Sequence, residues 1–380
     1  MSFDYHIPTK ILFGAGKLNQ LAEEPLPGKK ALIVMSNGTS MRKHGYLQRL
    51  EDLLKQQNIE SVVYDKIQPN PIKEHVMEGA AVAKENGCDF IIGLGGGSPI
   101  DAAKGIAIMA VNPGDYWDYI GSGSGKGLPV ENGALPIVAI TTTAGTGTEA
   151  DPWLVITNGE EKIGFGCPPH TFPVISVVDP EMMFSIPPHL TAFQGFDAFF
   201  HAVEGYIANV ATPMSDLYAL ESIRLVAEYL PRAVADGSDL EAREKVALAN
   251  TLSGMVESTS CCISEHSLEH AMSALHPELP HGAGLILLSE AYLSHFAEHL
   301  PERYAKMAQA MGGASFIDEL VALQEKCGVR GLKMSDYGIT EDELEAIAQN
   351  AYDTMGFLFD FDPVQIIPEQ TVSILRAAYS

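Results

Sequence analysis

Short apolar runs of strand length recur along the first half of the chain and alternate with longer amphipathic segments. Runs rich in β-branched residues begin at residues 31, 61, 90, 136, 153 and 174. Amphipathic segments of helical length lie between the first four of them, at about 41–57, 72–87 and 99–111. This alternation predicts parallel strands that are joined by helical crossovers.

The pattern changes after about residue 181. The segments 186–208, 215–230 and 239–258 have helical periodicity, and strand-like runs disappear. We therefore predict an α/β domain with a parallel, Rossmann-like sheet over residues 1–182 and an all-α domain over residues 183–380. A cleft between two such domains is the usual place for a ligand.

Composition narrows the class of protein. A chain of 380 residues with 46% hydrophobic and 19% charged residues suits two globular domains. Its formal charge of -25 argues against nucleic acid and anionic membranes as partners, because both need clustered Lys and Arg. We find neither an apolar run long enough to span a membrane nor a secretory signal, and the five cysteines show no C-x-x-C spacing. We therefore expect a cytoplasmic protein with reduced thiols.

A glycine-rich turn at residues 95–97 follows the apolar run that begins at residue 90. Ser98 is the predicted N-cap of the next helix, Pro99 its first residue, and Asp101 the acid that follows the cap by three positions. Glycines let a pyrophosphate approach the backbone, and the N–H groups at a helix start attract it. The spacing is neither G-x-G-x-x-G nor that of a P-loop. The alternative interpretation, a tight turn that binds no ligand, therefore stays open.

A second loop, TTTAGTGTEA from residue 141, follows the next strand and is rich in hydroxyl groups. The carboxyl ends of parallel strands line the ligand crevice of α/β sheets, where hydroxyls can bind phosphate or ribose. A threonine-rich loop alone is more often a simple turn. Two such loops at neighbouring strand ends favour a nucleotide site.

Histidines concentrate in the second half. Asp197 and His201 fall one helical turn apart in an apolar segment, and His266, His270, His276 and His281 follow within sixteen residues. Buried groups of this kind cost free energy unless something holds them. The two motifs together favour a shared divalent metal, and the mixture of imidazole and carboxylate suits Zn(II) or Fe(II).

Four ordered motifs, GGGSPIDAAK, TTAGTGTE, GFDAFFHAVEGY and HSLEHAMSALHPELPHG, resemble those of the iron-containing (group III) alcohol dehydrogenases. The resemblance extends from residue 5 to at least residue 290 and weakens in the last 80 residues. It implies a dinucleotide-binding α/β domain, a helical metal domain, and hydride transfer between NAD(P) and a small primary alcohol or aldehyde. It also implies a homodimer or a larger homo-oligomer.

The resemblance assigns roles residue by residue. The four metal ligands fall on Asp197, His201, His266 and His281, and the additional histidine close to the nicotinamide falls on His270. Contacts with the pyrophosphate fall on Gly96, Gly97, Ser98 and Asp101. Further cofactor contacts fall on Asn70, Thr142, Thr143 and Thr146, and Lys162 matches a lysine near the ribose. We expect the metal to act as a Lewis acid on the substrate oxygen and His270 to relay the hydroxyl proton.

This chain departs from the family pattern in three places. The stretch before His281 is one residue longer than in several relatives, so His270 and His276 could exchange roles. The segment TEADPW brings Asp151 and Trp153 to the expected pocket wall.

The third departure concerns the cofactor. Ser36 stands about where members that prefer NAD carry an aspartate, and the loop that includes Gly38 and Ser40 is neutral, with Arg42 and Lys43 nearby. We therefore predict a preference for NADP(H) over NAD(H).

Two other functions stay open. A related branch of the superfamily, which includes the dehydroquinate synthases, uses the same two-domain fold and a zinc ion for phosphate elimination. Such an enzyme would need a basic pocket for its substrate, and we see no basic residues of this kind around the histidine motif. A non-catalytic nucleotide or metal sensor on the same fold is the second alternative.

Overall fold

Strands and helices alternate up to residue 178 in the computed structural model, which describes residues 2–379. The strands are β1 (Lys10–Phe13), β2 (Lys30–Ser36), β3 (Glu60–Ile67), β4 (Phe90–Gly95), β5 (Ile137–Thr141), β6 (Trp153–Asn158), β7 (Glu161–Gly166) and β8 (Ile175–Val178). The helices of this part are α1 (Ser40–Lys43), α2 (Tyr46–Gln56), α3 (Lys73–Asn86), α4 (Gly97–Met109) and α5 (Pro168–Thr171).

The second part of the chain is helical. Its helices are α6 (Pro188–Ile207), α7 (Pro213–Ala235), α8 (Leu240–Thr259), α9 (Ser264–Leu275), α10 (His281–Ala297), α11 (Pro301–Met311), α12 (Phe316–Lys326), α13 (Leu344–Met355) and α14 (Pro368–Ala378). They enclose one large apolar core, in which α6 is buried along most of its length. Between residues 2 and 379 there is no helix with both the length and the apolar character that crossing a bilayer requires.

Six parallel strands form the main sheet, in the order β1-β8-β5-β4-β2-β3. Strands β4 and β5 lie side by side at its centre and are completely buried, and Gly95 pairs with Thr141 at their carboxyl ends. The glycine turn and the threonine-rich loop therefore leave the sheet at the same edge. The predicted fold class, a parallel α/β part followed by a helical part, is confirmed.

Local details differ from the prediction. The segment predicted as one helix over 41–57 is divided into α1 and α2, because Gly45 between them has a left-handed backbone with φ of 74°. The apolar run at residue 153 does not join the parallel sheet. It forms β6, which pairs antiparallel with β7 across a two-residue turn, and so short a connection cannot make a parallel crossover.

The helix after the glycine turn begins earlier than predicted. It starts at Gly97 rather than Pro99, and its N-cap is Gly96, which makes no side-chain capping bond. Ser98 is therefore a residue of the first turn and not the cap. A Cβ at Gly97 would overlap the Thr146 side chain, so the absence of side chains lets the turn close directly against the threonine-rich loop.

Candidate metal and cofactor site

Four potential metal ligands from three helices meet in the interior. Asp197 and His201 lie on α6, His266 lies on α9, and His281 is the first residue of α10. Their ligand atoms all lie within 4.8 Å of one another. Asp197 Oδ1 is 3.5 Å from His201 Nδ1, 3.9 Å from His266 Nε2 and 3.4 Å from His281 Nε2.

These separations fit a single divalent ion. Around zinc with bonds of about 2.1 Å, two ligand atoms at tetrahedral positions lie about 3.4 Å apart. Asp197 Oδ1 and His266 Nε2 are also buried and make no hydrogen bond within the described part of the chain. Buried polar atoms without a partner are costly, so an ion between them would satisfy both.

The electrostatics of α6 favour the forms that bind a metal. Burial would raise the pKa of Asp197, but the neighbouring histidines outweigh burial and hold this pKa well below its usual range. For His201, burial lowers the pKa to about 3 against the attraction of Asp197. Asp197 is therefore ionised and His201 neutral at physiological pH, as metal ligands must be.

Two buried glutamates that the sequence analysis missed hold two of these histidines. Glu204 Oε1 is hydrogen-bonded to His266 Nδ1, and Glu269 Oε2 is hydrogen-bonded to His281 Nδ1. In both rings the bonded Nδ1 leaves Nε2 facing Asp197. Such carboxylates fix the orientation of metal-binding imidazoles.

The glycine turn and the threonine-rich loop form one continuous wall. Thr142 N donates a hydrogen bond of 2.8 Å to the Gly95 carbonyl oxygen, and Gly97 packs on Thr146. The same loop reaches the metal-ligand cluster, because the Gly145 carbonyl oxygen lies 3.3 Å from His201 Nδ1. A nucleotide at the start of α4 would therefore lie next to the four-ligand cluster.

One cavity of about 160 Å³ joins these two regions. It is lined by most of the predicted site residues: Asn70, Gly97, Ser98, Asp101, Thr146, Lys162, His201, His266, His270 and His281. Gly96, Thr142 and Thr143 belong to the glycine turn and the threonine-rich loop but are not among the described lining residues, and neither is Asp197. Ser36 ends β2, Gly38 lies on the exposed loop that follows, and Ser40 is the exposed first residue of α1. None of the three is among the described residues that line the cavity.

Asp101 is hydrogen-bonded to the threonine-rich loop and to β6. Its carboxylate accepts hydrogen bonds from Thr148 Oγ1 at 2.7 Å and from Val155 N at 3.0 Å. Burial raises its pKa to about 6. These bonds connect the first turn of α4 to the threonine-rich loop and β6. Asp101 also lines the cavity, and its contact with pyrophosphate stays a prediction.

Lys104, which the sequence analysis also missed, is completely buried beneath the glycine turn. Its Nζ donates to Thr148 Oγ1 at 2.7 Å, to the Trp153 carbonyl oxygen at 2.6 Å, and to Asp151 O and Oδ1 at 2.9 and 3.1 Å. Asp151 therefore lines the cavity with a carboxylate that is already paired. The four bonds tie α4 to the start of β6.

The remaining predicted residues fall on two sides of the cavity. Lys162 Nζ bonds to Glu269 Oε2 at 3.1 Å and to Ser273 Oγ at 2.8 Å, so it lies beside the glutamate that holds His281. Asn70 donates a hydrogen bond to the Pro277 carbonyl oxygen at 3.3 Å and has a left-handed φ of 51°.

His270 and His276 are clearly separated in space. His270 is buried, and its ring centroid lies 5.4 Å from that of His281. His276 points away from the cluster, with Nε2 3.4 Å from Glu343 Oε1. Of the two, His270 is the histidine that lines the cavity.

Comparison with known proteins places the chain among the alcohol dehydrogenases. The family model described as iron-containing alcohol dehydrogenase matches residues 8–180, and its C-terminal counterpart matches residues 191–379. A 1,3-propanediol dehydrogenase of Klebsiella pneumoniae is 38% identical over 317 residues, 82% of this chain and 79% of the relative. An NAD-dependent methanol dehydrogenase of Bacillus methanolicus is 32% identical and covers 92% of this chain and 93% of its own.

Solved structures agree with these sequence matches. A halo-thermophilic archaeal alcohol dehydrogenase from a Red Sea brine pool superposes with a TM-score of 0.94 at 34% identity. The superposition covers 100% of this chain and 99% of the archaeal one.

Proposed function

The chain belongs to the iron-containing alcohol dehydrogenase family, and from this membership we propose that it interconverts small primary alcohols and aldehydes. From the neutral Ser36 and the loop that follows it, we also propose that NADP(H) is the preferred cofactor. Its relatives are NAD-dependent oxidoreductases acting on CH–OH, so NAD(P)(H) and a divalent metal, iron or zinc, are its cofactors. The observation that supports the proposal most is the four-ligand cluster at one end of a cavity whose other wall is the glycine turn.

Asp197, His201, His266 and His281 would hold the metal. When bound, the ion supplies Lewis acidity that polarises the substrate oxygen. Two observations indicate that these residues fit a metal ion. The distances between the ligand atoms suit one ion, and Asp197 Oδ1 and His266 Nε2 are buried without a hydrogen-bond partner in the described chain.

The chain itself holds the two reactants together and excludes water. The first turn of α4 offers free N–H groups to a pyrophosphate, and the contact between Gly97 and Thr146 fixes where that turn lies. The cavity then runs from Ser98 to the buried face of His266. Holding alcohol carbon and nicotinamide in contact contributes to hydride transfer through proximity and orientation.

We assign proton transfer to His270. Its Nδ1 lies 2.8 Å from Met355 Sδ, and burial lowers its pKa well below the usual value, so the ring is neutral. If Nδ1–H donates to the sulfur, Nε2 carries the lone pair that accepts the hydroxyl proton.

The two alternative functions have less support. A lyase acting on a phosphorylated substrate needs free cations, yet Lys162 is paired with Glu269 and Lys104 with Asp151. A sensor would bind cofactor and metal without turnover. Oxidation of NADPH or NADH with a panel of short aldehydes, followed by ultraviolet absorbance, distinguishes both from a dehydrogenase.

The cofactor preference depends on Ser36 at the end of β2. A neutral side chain there leaves room for a 2′-phosphate, although Arg42 is already paired with Asp65 at 2.5 Å. We expect Ser36→Asp to lower kcat/KM with NADPH by about 10-fold or more and to leave kcat/KM with NADH unchanged or higher, because the new carboxylate repels the phosphate. Ser36→Asn, similar in shape but neutral, is the control. Equal kcat and KM with both cofactors in the unmodified enzyme would contradict the preference.

Glu204 is expected to set metal affinity through His266. Glu204→Gln replaces a charged acceptor of the His266 Nδ1 hydrogen bond by a neutral one, so the metal should bind about 10- to 100-fold more weakly. Competition with a chelator measures the dissociation constant. Glu265→Gln is the control, because Glu265 is equally buried but makes no hydrogen bond through either oxygen within the described chain. Equal affinities in the two variants would show that Glu204 does not support the site.

Three further points stay predictions. They are the division into residues 1–182 and 183–380, the cytoplasmic location, and assembly into a homodimer or larger oligomer, which light scattering on the purified protein can measure.

A further inference from the structure

Glu257, near the end of α8, brings a third carboxyl group to the cavity wall, beside those of Asp101 and Asp151. It is only 9% exposed. Its Oε2 accepts a weak hydrogen bond from Cys262 Sγ at 3.8 Å, but its Oε1 is buried and makes no hydrogen bond to any described residue. Burying an acceptor without a partner costs free energy, so such an atom beside a cavity indicates a ligand that donates a hydrogen bond to it.

The position of this oxygen is at the metal end of the cavity. Glu257 Oε1 lies 3.5 Å from His201 Nε2, and that approach is too poorly aligned to count as a hydrogen bond. Trp153 Nε1 donates to the Glu257 carbonyl oxygen at 3.3 Å and keeps the indole beside the carboxylate. The same end is lined by Cys261, Phe357 and Leu358, which are largely apolar.

The other two acids of the cavity wall make hydrogen bonds or ion pairs within the protein. Asp151 is paired with Lys104, and both oxygens of Asp101 accept hydrogen bonds. Lys162, the cation of the wall, is paired with Glu269. Among the described lining residues, Glu257 therefore has the buried carboxylate oxygen that makes no hydrogen bond.

On the basis of the proposed function, we propose that Glu257 selects alcohols with a second hydroxyl group and accepts a hydrogen bond from that hydroxyl. A hydroxyl suits the position better than an ammonium group, because the divalent ion next to His201 would repel a cation. A plain alkanol of the same size would instead leave Glu257 Oε1 buried and unpaired. Sites built to bond a substrate hydroxyl reject the analogue that lacks it far more strongly than apolar pockets do.

The test compares two alcohols of equal size, 1,3-propanediol and 1-butanol, in the metal-loaded enzyme. We expect kcat/KM to favour the diol by about 10-fold or more. Glu257→Leu should reduce that ratio by about 10-fold or more, whereas Glu257→Gln, whose amide oxygen still accepts, should keep it within about threefold. Glu265→Gln is the matched control, since Glu265 is a buried, unpartnered acid outside the set of described lining residues, and it should leave the ratio unchanged.

Several results would overturn the inference. If the ratio of kcat/KM for the diol to that for 1-butanol is equal in the unmodified enzyme and in Glu257→Leu, Glu257 does not bind the second hydroxyl. A higher kcat/KM for 3-amino-1-propanol than for the diol would assign the carboxylate to a cation. Metal loss in Glu257→Leu or Glu257→Gln would show that Glu257 serves the metal instead. Failure of the unmodified enzyme to oxidise any of these alcohols would contradict the proposed function itself, a result distinct from these three.

If Glu257→Leu does not fold, two measurements still decide the question. The ratio in Glu257→Gln is one of them. The other is the change in Trp153 fluorescence when each alcohol is added to a Trp117→Phe variant, in which Trp153 is the remaining tryptophan; it should show tighter binding of 1,3-propanediol than of 1-butanol. Equal binding of the two alcohols would contradict the inference.

Discussion

Replacing either His266 or His281 with alanine is expected to remove the bound metal and turnover together. Each variant leaves three of the four ligands around Asp197, and the glutamate that held the lost ring becomes a buried acid without its partner. Loss of a supporting hydrogen bond alone costs about 10- to 100-fold in affinity or activity, so loss of a ligand should exceed that range. Metal content per chain and kcat, measured on the same preparation, check the prediction.

The chain contains a matched control for this experiment. His276 lies in the same histidine-rich segment but outside the cluster, beside Glu343. His276→Ala should therefore keep both metal and activity. An active, metal-free His266→Ala or His281→Ala enzyme would refute the assignment of these residues as ligands.

Replacing Lys104 with methionine is expected to have the largest effect on stability. Lys104 is 0% exposed and donates to four oxygen atoms of Thr148, Asp151 and Trp153. Methionine fills the volume but leaves the Asp151 carboxylate buried without its cation. Removing one partner of a buried ion pair typically costs about 3–5 kcal/mol, so the free energy of unfolding in urea should fall by about that amount.

A surface lysine gives the reference for this effect. Lys66 pairs with Glu78, and both side chains are about half exposed, at 56% and 42%. Lys66→Met should change the free energy of unfolding by less than about 1 kcal/mol, because water and salt screen such pairs. If Lys104→Met is no less stable than Lys66→Met, the buried cluster does not stabilise the fold.

The repeating pattern of the chain predicted most of the fold. Apolar strands and amphipathic crossovers identified β2, β3, β4 and β5, because each strand is long enough to show its period. The pattern could not assign the run at residue 153, since a β-branched run looks the same in a parallel sheet and in a hairpin. The two-residue connection to β7, a strand with few β-branched residues, decided the pairing.

The candidate site was only partly predictable. The motifs identified residues that the structure gathers around Asp197, and the family assignment that they suggested is confirmed by the comparisons. Glu204 and Glu269 were missed, although each follows a metal-site histidine by three residues on a buried helix. Their partners, His266 and His281, lie on different helices from the glutamates. The periodicity of one helix does not show which other helix packs against it.

Asp101 and Lys104 also show that a sequence motif does not determine where its side chains lie. The motif predicted a nucleotide contact for Asp101 and gave Lys104 no role, whereas both side chains are hydrogen-bonded to the threonine-rich loop. A spacing rule shows which residues recur near a site and does not show which of them face the ligand.

The most direct test of the central claim is removal and restoration of the metal. The purified enzyme would be treated with a chelator and titrated with Fe(II) or Zn(II), while oxidation of NADPH by a short aldehyde is followed at each step. We predict that turnover disappears with the metal and returns in proportion to bound ion, reaching its maximum at about one ion per chain. Full turnover in the metal-free enzyme, or an enzyme that binds the metal and remains inactive with every aldehyde and both cofactors, would contradict a metal-dependent alcohol dehydrogenase.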